Sequence, residues 1–158
     1  MVKLAGDQFT QVVLLAQSAD SAKLIAESLY DLYGDLTSAL TIHDSEFRWP
    51  KTKTINTQII TGTPSTTRDY SKNYKCFDLS DIKVLIVDEV DTFVKVQNCQ
   101  DDTIRIAREL SAGCKVFLFS EINETNQMDV QNFAERLQGC NINIQVSIQS
   151  VRFLTYIT

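Results

Sequence analysis

The feature that most restricts how this chain can fold is a set of short runs in which apolar residues follow one another without alternation. Val12 to Ala16, Val84 to Val87 and Val116 to Phe119 are the longest. A strand with one wet face alternates apolar and polar side chains. A strand that is apolar at successive positions is covered on both faces, as in a parallel sheet sandwiched between helices. Six segments read as strands: 11–16 (QVVLLA), 38–42, 57–61, 83–88 (KVLIVD), 115–120 (KVFLFS) and 141–147. Between them lie helical patterns. Residues 20–33 put Ala22, Ile25, Ala26, Leu29 and Leu32 on one face, and Gly34 follows. Residues 101–110 open with Asp101 and Asp102, the charge a helix N-terminus favours, and Gly113 lies just past the end. Residues 125–138 carry Met128, Phe133, Ala134 and Leu137 ahead of Gly139. This alternation predicts an α/β domain, a doubly wound and mostly parallel sheet of about six strands with helices on both faces.

The chain has 158 residues, one domain's worth, and no linker, repeat or low-complexity tract divides it. Its apolar runs are far shorter than the roughly 18–20 residues that cross a bilayer, and no charged-then-apolar leader follows Met1. We therefore expect no membrane association and a cytoplasmic or nuclear location. A net charge of −5 weighs against indiscriminate polyanion binding. Cys76, Cys99, Cys114 and Cys140 lack metal-ligand spacing and read as reduced thiols of the core. His43, the sole histidine, has no nucleophile partner in any recognisable motif and reads as structural. Asn123-Glu124-Thr125 fits a glycosylation acceptor by chance, without a secretory signal beside it.

In doubly wound sheets function gathers beyond the carboxyl ends of the strands. Residues 17–20, 62–66, 88–91 and 120–124 are therefore the ones to weigh. The sharpest is Asp88-Glu89-Val90-Asp91, directly after KVLIV. Such a strand end can hold Mg²⁺ through water on one carboxylate and orient an attacking water with the next. The tetrapeptide alone fits equally well a strand end whose acids face solvent or cap a helix.

Its context resembles a known family. Lys83 to Asp91 resembles motif II of the DEAD-box RNA helicases, with Val90 where the family usually has Ala. Residues 60–65 (ITGTPS) resemble its T-P-G motif, with Ser65 in place of Gly. Residues 14–22 (LLAQSADSA) stand where the family has P-T-x-E-L-A, and 116–120 (VFLFS) lead into the place of S-A-T, continued here by Glu121 and Ile122. Residues 100–106 (QDDTIRI) with Cys114 look most like the nuclear mRNA-export subfamily.

The resemblance implies an N-terminal RecA-like domain. Asp88 and Glu89 would be the motif II catalytic acids, with Asp88 holding Mg²⁺ through water only when nucleotide is present. Asp91 and Ser120 would couple motif II to motif III, although Glu121 would bring a like charge near Asp91. Ser18, Gly62, Thr63 and Thr66 would grip the RNA backbone, and Arg68 would add a charge, fixing position without reading sequence. For Thr63-Pro64-Ser65 the plain alternative is a helix start, since Pro is favoured in the first turn. The segment Phe47 to Lys53 interleaves aromatics with basic residues and could stack a base, or could be a solvated loop with Trp49 against the core.

Departures from the family pattern matter as much. A phosphate-gripping loop needs G-x-x-x-x-G-K-S/T, yet none of the five glycines is followed by Lys. Only about ten residues precede Gln11, too few for a further strand, loop and helix. The second RecA-like domain, source of the family's arginine finger, is missing, and 152–158 resembles the start of the linker toward it. The expectation is a single unit over 1–158, truncated before motif Ia, in which motif II is vestigial. It would bind no cofactor alone, Mg-ATP being what the full-length family uses, and would neither hydrolyse ATP nor unwind RNA. Single-stranded RNA, a second helicase domain and mRNA-export factors are the implied partners. The sequence also fits two other classes less well. One is a protein-interaction module derived from a helicase domain. The other is a phospho-receiver domain, disfavoured because receivers begin with the acidic strand whereas three strands precede it here.

Overall fold

A computed structural model describes residues 10–33, 39–41, 55, 57–140 and 143–146. The chain runs β1 (Val12–Leu15), α1 (Ala19–Tyr33), β2 (Ala39–Thr41), β3 (Ile59–Gly62) and α2 (Pro64–Lys72). It continues through a 3₁₀ turn (Leu79–Asp81), β4 (Val84–Val87), α3 (Val90–Phe93), α4 (Gln97–Ala107), β5 (Lys115–Leu118), α5 (Gln127–Gln138) and β6 (Asn143–Val146). All six strands are parallel and lie in the order β2-β3-β1-β4-β5-β6. The expected architecture is the one observed.

Right-handed crossovers place the helices. The chain leaves β1 toward β2 on one side but leaves β4 toward β5 on the other. That divergence puts α1 on one face and α2, α4 and α5 on the opposite face, where α2 packs on α4 and α4 on α5. It also makes β1/β4 the point where strand order reverses.

Alternate residues along the central strands serve the two faces. Val13, Leu15, Leu85, Val87, Val116 and Leu118 turn into the main core with Val90, Phe93, Ile104, Ile106, Phe133 and Leu137. Val12, Ile59 and Val84 turn the other way, with Leu29 of α1, Ile86 and Phe117 against them. Two covered faces are the reason these strands carry apolar residues in succession.

Three sequence expectations are corrected. Helix α4 begins at Gln97, four residues before the expected start, so Asp101 and Asp102 do not form its N-terminus. They serve tertiary pairs instead: Asp101 accepts from Arg136 of α5, and Asp102 turns inward to Arg68 of α2. Met128 is 68% exposed rather than core-facing. It stands nine positions before Leu137, about 180° away at 100° per residue, and Val130 takes the buried place with Phe133 and Leu137. Leu32 lies at the border of the α1 stripe and is 74% exposed, while Ala22 is buried and Ile25, Ala26 and Leu29 are half-buried. Among the described residues no helix is long and apolar enough to cross a membrane.

Removing buried methyl groups from the central strand should be costly and removing exposed ones nearly free. Leu85→Ala, at a fully buried position, should lower unfolding free energy by about 2–5 kcal/mol in urea titrations. Met128→Ala should change it by less than about 0.5 kcal/mol. Equal effects of the two would contradict the packing described.

Candidate functional site

The four inner strands end in one plane. Leu15 is level with Gly62 on one side and Val87 on the other, and Val87 is level with Leu118. Backbone bonds carry this pairing past the strand ends: Ala16 N–H donates to Gly62 O, Asp88 N–H to Leu15 O, and Phe119 N–H to Val87 O. Ser18, Thr63, Asp88 and Ser120 therefore emerge along a single rim.

The acidic loop lies beside the β1/β4 reversal. Asp88 is half-buried, and its Oδ1 accepts the Glu89 backbone N–H at 3.0 Å. Glu89 is exposed and adopts φ 52°, ψ 50°, the left-handed region that non-glycine residues avoid. That conformation turns the chain sharply from β4 into α3. Neighbouring contacts hold it: Thr92 Oγ1 donates to Glu89 O at 2.7 Å, and Val90 N–H donates to Phe119 O at 2.9 Å. Val90 and Phe93 beneath it are fully buried. The expected meeting of Asp91 and Ser120 is present, since Asp91 Oδ1 accepts from Ser120 Oγ at 3.3 Å. Glu121 contributes its backbone N–H to the same oxygen, also at 3.3 Å.

Among the described residues no group of three His, Cys, Asp or Glu side chains could hold a metal by itself. Asp88, with one oxygen engaged by an amide and the group half-buried, suits the lesser task that family resemblance assigns. It could hold a hydrated Mg²⁺ whose remaining ligands are waters and phosphate oxygens.

The other end of the rim is built from two helix starts of the same design. Ser18 precedes α1, and its Oγ accepts the Ser21 N–H at 3.1 Å. Thr63 caps α2, where its Oγ1 accepts the Thr66 N–H at 3.3 Å and Pro64 fills the first helical position. Thr66 is buried, and its hydroxyl meets that of Thr63 at 2.7 Å. The helix-start reading of Thr63-Pro64-Ser65 is thus the one the geometry shows. Gly62 is buried at the end of β3. Arg68, one turn further on, is ion-paired with Asp102 of α4. Sequence reasoning missed Asp102, because a partner 34 residues away leaves no local signal.

Other features stand apart from the rim. A cavity of about 450 Å³ lies near the amino ends of the strands, lined by Thr10, Ser71, Lys72, Asp78, Asp81 and Glu109 among others. The four thiols are free, with Cys76 and Cys114 buried and Cys99 and Cys140 half-buried. Burial pushes the Cys114 thiol up to about 11, against a weaker opposing backbone hydrogen bond at Leu85, and also raises Cys76. The basic-aromatic stretch 47–53, His43 and the linker-like 152–158 lie outside the described residues.

A parallel sheet with an acidic turn at its reversal point and capped helices beside it defines a RecA-like domain. The chain matches the DEAD/DEAH box helicase family over residues 3–130 and belongs to it. It is 40% identical to the human ATP-dependent RNA helicase DDX25 over 57% of this chain and 18% of that protein. It therefore spans about a fifth of the length of that curated relative. Its structure resembles that of Saccharomyces cerevisiae Dbp5 bound to RNA and ADP BeF3, with a TM-score of 0.72 and 28% identity, covering 90% of this chain and 35% of that one. A Dbp5 variant from the same yeast, bound to Nup159, Gle1, IP6 and ADP, matches with a TM-score of 0.73 and 27% identity, covering 91% of this chain and 37% of that one. Within that family the chain is thus similar to proteins named ATP-dependent RNA helicases.

Three outcomes follow from the local geometry. Thr63→Ala removes the α2 cap and should cost about 1 kcal/mol in denaturant unfolding, a loss that Thr63→Ser largely restores. At pH 8 a thiol reagent should label Cys99 and Cys140 well before Cys76 and Cys114, with all four reacting in urea. Because the folded Cys114 value is raised, its contribution to stability should hold at neutral pH and fade as pH climbs toward about 11.

Proposed function

We propose that residues 1–158 form one unit, the part of a first RecA-like domain that carries motif II and a surface for the RNA backbone. In this reading the unit grips single-stranded RNA without reading its sequence and does not turn over ATP alone. The observation that carries the reading is the shared rim. The Asp91–Ser120 contact and the capped starts of α1 and α2 stand on adjacent parallel strands, in a chain whose yeast structural neighbour holds RNA. Ser18, Gly62 and Thr63 are the rim positions assigned to phosphate and sugar contact, aided by helix N-terminal amides. Thr66 supports Thr63 from beneath. Asp91 and Ser120 would relay the state of the acidic loop along the rim.

Asp88 and Glu89 keep the acids of motif II. Phosphoryl transfer, however, relies on positioning and on charges that clamp the phosphates, an arginine finger alone giving about a thousandfold or more. No glycine–lysine pair occurs in the 158 residues, so this stretch carries no phosphate-loop signature of its own. Mg-ATP belongs to the longer family proteins. A nuclear or cytoplasmic location is part of the same proposal.

A second reading is supported by the Dbp5 variant seen with Nup159 and Gle1: a helicase-derived module that docks on mRNA-export proteins.

Filter binding with a single-stranded RNA across salt concentrations tests the first reading. Affinity should fall as salt rises, with a log–log slope of about 0.7 for each phosphate neutralised. Titration calorimetry with Mg²⁺ and ATP should show no binding in the micromolar range. Absence of RNA binding at low salt would leave the docking module standing, and clear ATP binding would end the inactive assignment.

A further inference from the structure

The most informative group outside the rim's own contacts is the ion cluster between α2 and α4. Asp102 is 8% exposed, and its Oδ1 accepts from both Arg68 and Arg105, the latter at 3.1 Å. One carboxylate thus serves two guanidiniums. Surrounding charges are paired among themselves: Lys72 with Glu109 at 2.7 Å and Arg136 with Asp101 at 3.2 Å. Arg68 is the more enclosed of the two arginines, its side chain 30% exposed against 58% for Arg105.

Arg68 lies five residues after the Thr63 cap, about 7.5 Å along the helix at 1.5 Å per residue. Side chains on a helix lean toward its N-terminus, which for α2 is the rim. A guanidinium released at this position leans back over Pro64 and Ser65, the first turn of α2 beside the rim. Paired with Asp102, it is drawn sideways onto α4 instead.

We propose that Asp102 sets the affinity of the rim for RNA by sequestering Arg68. With the pair closed, the rim offers amides and hydroxyls. With the pair open, Arg68 adds a cation that reaches a backbone phosphate. The inference rests on the RNA-binding reading above and goes beyond it by assigning control of affinity to a residue outside the rim.

Asp102→Asn is the direct test, because the amide keeps the size and acceptor of Asp but not its charge. Single-stranded RNA titrations over a salt series should show several-fold tighter binding than the unmodified chain at low salt. The log–log slope should be steeper by about 0.7, one extra phosphate. Arg68→Ala combined with Asp102→Asn should abolish the gain, returning the slope to that of the unmodified chain. A gain that survives in the double variant would assign the effect to Arg105 and overturn the proposal. Asp102→Ser, a smaller neutral replacement, should give the same gain, a result readable even if Asp102→Asn does not fold. If the unmodified chain binds RNA and Asp102→Asn changes neither affinity nor slope, sequestration fails while the RNA reading stands. If only Asp102→Asn binds, sequestration is supported in its strongest form. If neither binds, both ideas fall together.

Discussion

The level ending of four parallel strands is the constraint on which the rest of the molecule depends. Parallel ladders space their hydrogen bonds evenly, so a register fixed at one residue holds along the strand. Here Leu15 opposes Gly62 and Val87, and Val87 opposes Leu118. The backbone bonds of Ala16, Asp88 and Phe119 lock the next residues as well. A slip by one residue would turn every core side chain of a strand to the wrong face. Polar residues that are far apart in sequence are therefore delivered to a common line by backbone pairing.

The apolar interior is what makes that pairing dependable. The larger core lies between the sheet and α3, α4 and α5, and the smaller one under α1. Val90 and Phe93 belong to the larger core although they flank acids that face outward. The acidic turn is thus anchored from below by two buried side chains and from the side by the Phe119 carbonyl. Position at the rim is a product of packing, and the charges are carried on it.

The sheet was legible in the sequence because burial on both faces leaves a mark that few other arrangements leave. Strand boundaries moved by one or two residues where they are described: Gln11, Lys83, Asp88, Phe119 and Ser120 lie outside their strands, and Gly62 lies inside β3. Helix α4 was misplaced because Asp101 and Asp102 look like an N-terminal signal, yet their partners, Arg136 and Arg68, come from other helices. Met128 misled through hydrophobicity without phase. The single turn of α3 left no periodicity to find. At the site, the meeting of Asp91 and Ser120 followed from motif resemblance, and Thr63 was weighed as both contact and cap. The burial of Thr66 and the capture of Arg68 depend on how α2 lies on its neighbours. No local pattern of residue types encodes that.

Glu89 carries a wider consequence. A glutamate in the left-handed region costs about 1–2 kcal/mol relative to ordinary backbone. Glycine adopts that region freely, and asparagine visits it more readily than glutamate does. Folding alone would therefore favour glycine here, and the strain that glutamate brings is borne by the buried Val90 and Phe93 that clamp the turn from below.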